Sequence, residues 1–440
     1  MYEEMSSYIW DQTETQPRPE LEQLQVTRLR SCVERVSQSV PFYRDKLAQA
    51  SVTTSDIRTL DDLANIPFTT KQDLRDHYPF GLFTVPTDQI ARIHASSGTT
   101  GKMTVVGYTR ADLDLWANLI ARALAAADVT AADIVHNALG YGLFTGGLGY
   151  HDGAALIGAT IVPVSGGNTK RQVQIMQDFG STVLCCTPSY ALLISEVAAE
   201  ERVDMVTLPL RVGFFGAEPW SEQMRWEIEA RLGIVAFDTY GLSELIGPGV
   251  AHECGYHQGL HINEDHFLPE IVDPASGERL SDGEVGELVL SSVTKEAIPL
   301  LRYRTGDRTR LLREPCACGR TTVRMARVLG RTDDMIIVRG VNVFPSQVEA
   351  VLLETGAVAP HYQLIVDRAR GALDELEVRV EVPARLWGDP LQLRQLERRL
   401  GDDLRSTLGI SCDVRLVAPG EIPRSEGKAV RVVDKRHASK

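Results

Sequence analysis

Seven consecutive residues, Ser96-Ser97-Gly98-Thr99-Thr100-Gly101-Lys102, place four hydroxyls, two glycines and an ammonium in one loop. The loop follows the apolar Ile90–Ile93 segment. Its glycines let the backbone approach an anion, and its hydroxyls and lysine supply donors for phosphate oxygens. It is not a Walker A loop, which needs Gly where Ser96 stands and Ser or Thr where Met103 stands. A second group is Cys316-Ala317-Cys318-Gly319, with Cys254 and His261 upstream. Three thiolates and one imidazole complete a tetrahedral set for Zn2+, and a closed site of that kind is structural. His252 and His257 compete for the fourth position. A third candidate is Lys428, between Gly427 and Ala429, whose ammonium is suited to stabilising negative charge at a phosphate. The plainer alternative is one solvated cation in a tail that also carries Arg424, Arg431, Lys435 and Arg436.

Composition limits the classes these groups serve. The chain has 440 residues, with Lys+Arg 46 against Asp+Glu 59, a net charge of −13. That balance argues against a general nucleic-acid or anionic-membrane binder, and no basic stripe with interleaved aromatics is evident. Hydrophobic residues at 43% and charged residues at 24% are globular values, and the length predicts two to three domains. Met1-Tyr2-Glu3-Glu4 shows no basic n-region, and His151 and Asp152 interrupt the apolar stretch from Ala138 to Val164. The expectation is a cytoplasmic protein without a spanning helix, whose seven cysteines are thiols or metal ligands. Cys32, Cys185, Cys186 and Cys412 read as buried or incidental thiols.

The elements that must position these residues follow from periodicity. Leu21, Leu24, Leu29, Val33 and Val36 suggest a helical lead-in, and the stretch to about residue 90 reads as helical and irregular. From Ile90 to about Leu329, short β-branched runs alternate with helical patterns, as in an α/β sheet with helical cover. Leu113, Trp116, Ile120 and Leu124 share one helix face. The runs Thr182–Cys186 and Val212–Phe215 read as buried strands. A boundary is expected at Gly330-Arg331-Thr332-Asp333-Asp334, giving domains 1–329 and 330–440. Beyond it, Ile336–Val338 and Val341–Phe344 flank Arg339-Gly340 as a hairpin. Ser346 and Glu349 read as a capping box opening a helix. Leu376, Val378, Val380 and Val382 alternate as a strand, Leu393, Leu396, Leu400 and Leu404 make a helix, and Val414 and Leu416 a last strand.

Five ordered elements connect the two domains: the Ser96–Lys102 loop, Tyr240-Gly241-Leu242-Ser243-Glu244, Tyr303-Arg304-Thr305-Gly306-Asp307, Gly330–Asp334 and Pro423-Arg424-Ser425-Glu426-Gly427-Lys428. In this order they resemble the core motifs of the adenylate-forming superfamily of acyl-CoA synthetases, adenylation domains and luciferases. Five further segments resemble the phenylacetate–CoA ligase-like aryl-CoA ligases. They are Tyr141–Gly147, Cys186–Tyr190, Phe215–Trp220, Arg339–Ser346 and Ile93-His94-Ala95. The resemblance runs from about Tyr43 to Lys435.

It implies a large N-terminal domain binding ATP and aryl acid, and a small mobile α+β lid carrying the catalytic lysine. The implied reaction is carboxylate plus ATP giving acyl-AMP and pyrophosphate, then attack by CoA. The alternative is a biosynthetic enzyme for a benzoate, anthranilate or hydroxyanthranilate, passing the acyl group to a carrier protein or another nucleophile. By the resemblance, Lys428 and Glu244 are catalytic, and Glu244 offers a hard oxygen to Mg2+. Ser96, Ser97, Gly98, Thr99, Thr100, Gly101, Lys102, Gly216, Ala217, Glu218, Pro219, Asp238, Tyr240, Gly241, Ser243, Asp307 and Arg331 bind ATP or AMP. Tyr240 stacks on adenine, and Asp307 accepts from the ribose diol, which suits a carboxylate. Leu139, Tyr141, Phe144, Thr145, Gly216, Leu245, Ile246, Gly247 and Pro248 line the acid pocket. Small and aromatic residues together suit a flat ring. Asp333 resembles a hinge, and Arg339 and Gly340 face a pantetheine tunnel. Similar cysteines in such ligases support zinc on Cys254, His261, Cys316 and Cys318. A homodimer is a further expectation. Leu139 stands where close phenylacetate ligases carry Tyr, and Met103 where they carry Pro.

Overall fold

Alternating strands and helices between Ile134 and Leu242 build the main sheet. The computed structural model describes residues 8–96, 103–332, 335–339, 341–368 and 374–436. Among these, the strands Thr160–Val162, Ile134–Asn137, Val183–Cys186, Val212–Gly216 and Val235–Leu242 lie parallel and adjacent in that order. The sheet continues antiparallel through Gly247–His252, Leu260–Ile262, Arg324–Met325 and Leu311–Leu312. Continuous apolar runs such as Val183–Cys186 are buried along their whole length, as strands covered on both faces must be. A second antiparallel group is Phe267–Val272, Gly286–Ser292 and Tyr303–Thr309. The strands Arg92–Ala95 and Val105–Tyr108 pair antiparallel, so the Gly-rich run joins them; of it only Ser96 lies among the described residues, its N–H on the Thr104 carbonyl.

The helix face predicted from Leu113, Trp116, Ile120 and Leu124 is present in Arg110–Ala125, and all four residues are buried. The helical lead-in is Arg18–Ser39, with Leu21, Leu29, Val33 and Val36 inward. Polar bonds fix its register. Arg18 holds Glu264 at 2.6 and 3.0 Å, Gln25 reaches the Glu264 carbonyl at 3.0 Å, and Arg35 reaches the Lys295 carbonyl at 3.2 Å. Burial alone would raise the Asp265 carboxyl, but His266 and the Arg122 guanidinium, 2.9 Å away, hold it far below the carboxylate range.

Contacts divide the chain into two compact units. The first is Met1–Cys186, Val206–Ala217 and Ile234–Val328. The second is Thr187–Met205, Glu218–Gly233 and Leu329–Lys440. The helices Pro188–Glu200 and Glu222–Leu232 therefore count with the C-terminal residues, although their flanking strands belong to the first unit. In the second unit the strands order as Asp413–Val417, Glu375–Glu381, Tyr362–Asp367 and Val432–Asp434. Val378, Val380, Leu400 and Leu404 share its core, as their spacing predicts. The hairpin also forms, with Ile336–Val338 on Val341–Val343 and Arg339 left-handed at φ 51°. The Ser346–Glu349 capping box does not. Pro345 takes the first helical position, so Phe344 becomes the cap and its N–H donates to Gln347 Oε1 at 3.2 Å. Ser346 Oγ turns to the Leu329 carbonyl, and buried Glu349 accepts from the Ser221 N–H at 3.2 Å. Among the described residues, no helix is long and apolar enough to cross a membrane.

Candidate active site

The parallel strands Val212–Gly216 and Val235–Leu242 carry the expected nucleotide residues at their C-terminal ends, where α/β sheets bind ligands. Gly216 permits this pairing, because a Cβ there would stand 2.3 Å from the Thr239 carbonyl oxygen. The next residue, Ala217, takes φ 71°, a left-handed turn rare for a side-chain-bearing residue. Asp238 is buried; its N–H donates to Glu253 Oε2 at 2.7 Å, and its carboxylate lies 3.7 Å from Arg327. Two residues on, Tyr240 Oη donates to Asp307 Oδ2 at 2.6 Å. That bond joins two motifs 67 residues apart in sequence. Asp307 is held by its own turn, its N–H on Thr305 Oγ1 at 3.0 Å.

After Tyr240 the chain reverses. A Cβ on Gly241 would meet the Gly247 carbonyl at 1.9 Å, so the reversal demands glycine. The turn carries Ser243, hydrogen-bonded to Thr145 at 3.1 Å, and buried Glu244. The ring of Tyr108 lies beside this turn, its hydroxyl on the Ile246 carbonyl at 2.9 Å.

In the second unit, the loop bearing Lys428 is anchored on both sides. Thr187 Oγ1 donates to the Gly427 carbonyl at 3.0 Å, and the Ala429 N–H donates to Glu218 Oε2 at 2.9 Å. Glu218 Oε1 accepts from the Ser189 N–H at 2.7 Å. The Glu218 carboxylate thus fastens the lysine loop to the start of the Pro188–Glu200 helix, a role its motif did not disclose. Arg424 braces the same loop through Glu381 and Glu196 at 2.7 and 2.9 Å. Pro219 follows Glu218 in this unit, and Arg331 is part of it as a half-buried residue in a short strand. Arg339 donates to Ser411 Oγ at 3.3 Å. Ser97–Lys102, Asp333 and Gly340 lie outside the described residues.

The ligand atoms of Cys254, His261, Cys316 and Cys318 all lie within 4.8 Å of one another. Cys254 and Cys316 sulfurs are 3.6 Å apart, and Cys318 is 3.4 Å from His261 Nε2. His261 Nδ1 sits on Thr322 Oγ1 at 3.2 Å, which turns Nε2 to the thiols as an outer partner should. Hydrogen bonding from Cys254 pushes the Cys318 thiol far down, toward the thiolate a metal needs. Geometry selects His261 over its rivals: His257 faces Glu253 at 3.2 Å, and His252 is not in the cluster.

The sequence matches the AMP-binding enzyme family over residues 10–294, and the AMP-binding enzyme C-terminal domain over residues 340–436. A phenylacetate–coenzyme A ligase of Thermus thermophilus is 52% identical over 438 residues, spanning 96% of this chain and 98% of its own. One from Escherichia coli is 53% identical over 430 residues, spanning 97% and 98%. This chain belongs to the phenylacetate–CoA ligase family. It is an AMP-forming acid–CoA ligase of the adenylate-forming superfamily. A 2-hydroxyisobutyryl-CoA ligase in its postadenylation state superposes with TM-score 0.92 at 29% identity, over 99% of this chain and 94% of that one.

Within this ligase, the expected acid-pocket residues all fall in the first unit. Tyr141 Oη accepts from Asn137 Nδ2 at 2.9 Å and lies 3.3 Å from His151 Nδ1. Burial pushes its phenol up to about 12. Phe144 caps the Thr145–Ile157 helix and packs over Gly146. Leu245 and Ile246 are fully buried, Gly247 faces the Trp116 ring, and the Pro248 carbonyl accepts from Trp116 Nε1 at 2.8 Å. Leu139 is buried within the main apolar core. Asn137 and His151, which hold the Tyr141 hydroxyl, were not among the sequence-derived candidates; the signals were a polar residue closing an apolar strand and a histidine interrupting an apolar stretch.

The Tyr240–Asp307 pair gives a direct expectation. Asp307→Ala should weaken ATP and AMP alike, by about 30-fold, because both carry the ribose. Tyr240→Phe keeps the ring and loses only the bond, costing about fivefold. Calorimetric titration with each nucleotide decides it; a loss confined to ATP would move Asp307 from ribose to phosphates.

Proposed function

We propose that this ligase activates phenylacetate with ATP to phenylacetyl-AMP and pyrophosphate, then transfers the phenylacetyl group to CoA. The observation that carries the reading is the identity of about half the residues to phenylacetate–CoA ligases over nearly the full length, together with the Tyr240–Asp307 pair. In the first step the carboxylate attacks the α-phosphorus, so two anions must meet. Positive groups fixed beforehand offset that charge without reorganising. Lys428, on its two-sided anchor, is the cation assigned to the α-phosphate and the acid's carboxylate. Asp307 accepts from the ribose hydroxyls, and Tyr240 presents its ring to adenine. Glu244 would hold Mg2+, a buried carboxylate oxygen being the donor that ion takes; the ion neutralises phosphate charge when bound. Ser96–Lys102 is assigned to the β- and γ-phosphates. In functional terms 1–329 binds ATP and acid, and 330–440 is the lid with Lys428, hinged at Asp333. Arg331 meets the nucleotide, and the Arg339–Gly340 turn borders the pantetheine tunnel. Cys254, His261, Cys316 and Cys318 would hold a structural Zn2+. A homodimer in the cytoplasm accompanies the reading.

The half-identical relatives do not favour the biosynthetic alternative. Leu139 sits in the apolar core, so its departure from Tyr reads as repacking behind the pocket. Pyrophosphate release against phenylacetate, benzoate, anthranilate and hydroxyanthranilate, with and without CoA, tests this. Phenylacetate with CoA should exceed every benzoate by at least about tenfold, the scale one methylene contributes in an apolar pocket. A faster benzoate, or turnover indifferent to CoA, sinks the reading.

A further inference from the structure

Lys295 is one of the largest fully buried side chains, 1% exposed, and belongs to no motif recognised in the sequence. Its Nζ has no hydrogen-bond partner among the described residues. Burying an ammonium with its donors unspent is expensive, and such a group needs a reason. The surroundings supply one. Nζ stands 4.2 Å from the centroid of the Tyr108 ring, a cation–π seat. Trp116 stacks on Tyr108 with centroids 5.0 Å apart, and the Tyr108 hydroxyl is tied to the Ile246 carbonyl, two residues past Glu244. The seat is therefore rigid and adjoins the Glu244 turn.

The charges around Nζ are unequally occupied. Asp112 is saturated by backbone N–H groups, from Thr109 at 3.0 Å, Glu296 at 2.6 Å and Ala297 at 2.9 Å. Glu296 accepts from Thr109 Oγ1, and Arg92 is spent on Asp152 at 2.7 Å. His94 is kept neutral by burial, which lowers its pKa. Lys295 interacts electrostatically with both buried carboxylates, Asp112 first and Glu244 second, and of the two it is Glu244 that stands in the motif assigned to the nucleotide.

We propose that Lys295 is a positioning residue for the triphosphate end of the site, a fixed buried cation that balances Glu244. The inference rests on the nucleotide assignment made above. Without Lys295, and before any divalent cation is bound, the incoming polyanion would meet an undercompensated buried carboxylate. The repulsion scales with ligand charge, so ATP is penalised more than AMP. Burial lowers the Lys295 pKa to about 8 even with Asp112 and Glu244 nearby, so the ammonium is mostly charged at neutral pH.

The test is calorimetric binding of ATP and of AMP, each with Mg2+ removed by chelation so that the two ligands differ in charge, to the wild type, Lys295→Met and Lys295→Gln, with thermal midpoints for all three. Each variant should lose about tenfold for ATP and under about twofold for AMP, with a lower midpoint because the buried carboxylates lose their compensating charge. Equal losses for both nucleotides would make Lys295 a packing residue and overturn the proposal. So would unchanged affinities, or wild-type ATP affinity in Lys295→Gln, which would assign donors rather than charge. If one variant fails to fold the other carries the test; failure of both assigns Lys295 to packing and overturns it. A wild type that binds neither nucleotide overturns the nucleotide assignment itself, a separate outcome.

Discussion

Lys428→Ala should lower acid-dependent pyrophosphate release by about a thousandfold while ATP binding stays within about threefold. Removing one fixed donor from a developing charge costs ~10²–10³ in rate, and a full cation at the reacting phosphate stands at the upper end. Ground-state binding is spared because ribose, base and outer phosphates keep their partners. The loop is expected to survive the change: its anchors are the Gly427 carbonyl, the Ala429 N–H and Arg424, none of which involves the lysine side chain. Lys435→Ala is the control for a tail cation and should leave the rate within about twofold. Quenched assays of pyrophosphate decide it, with calorimetry for ATP. A Lys428 variant that forms adenylate at near wild-type rate removes this residue from the chemistry.

Metal content is the second large effect. Elemental analysis should find about one zinc per chain, and replacing Cys316 with Ser should lower the melting midpoint by about 10 °C or more. The cluster ties the Cys254 turn and the Leu260–Ile262 strand to the Cys316–Cys318 knuckle, a segment distant in sequence. Its loss is expected to act on stability and to leave the affinity of surviving folded enzyme for ATP near normal. A metal-free protein as stable as the metal-loaded form would end the zinc reading, and a Cys316→Ser enzyme that melts normally but cannot bind ATP would make the site something other than structural.

Much of the fold was legible because its signals are local. The alternation of Leu376, Val378 and Val380 and the helical spacing of Leu113, Trp116, Ile120 and Leu124 each depend on one element, and each formed as read. Tyr240 and Asp307 were recognisable from motif alone, and the structure joins them. The failures have a common cause. Ser346 and Glu349 have capping-box spacing, but Pro345 and Gln347 offered a competing cap two residues earlier, and Glu349 was claimed by Ser221, 128 residues away. The bond from the Ala429 N–H to Glu218, 211 positions away, was not foreseen either. Lys295 and Tyr108 meet across a comparable span. Pairings of that separation leave no periodic trace in one sequence.

The Arg18–Ser39 helix has its partners at Glu264, Ser292 and Lys295, with Glu14 just before it bound to Arg320. During synthesis this helix leaves the ribosome more than two hundred residues ahead of the surface that receives it. At ~5–20 residues per second the wait is roughly 12 to 50 s. Throughout it, Leu21, Leu29, Val33 and Val36 have at most the part of their native cover that the Pro41–Gln49 helix and the residues just after it supply. The nascent chain thus presents an apolar helix to whatever binds such faces, and yield in a cell is expected to depend on holding that face until the last third of the first unit is made.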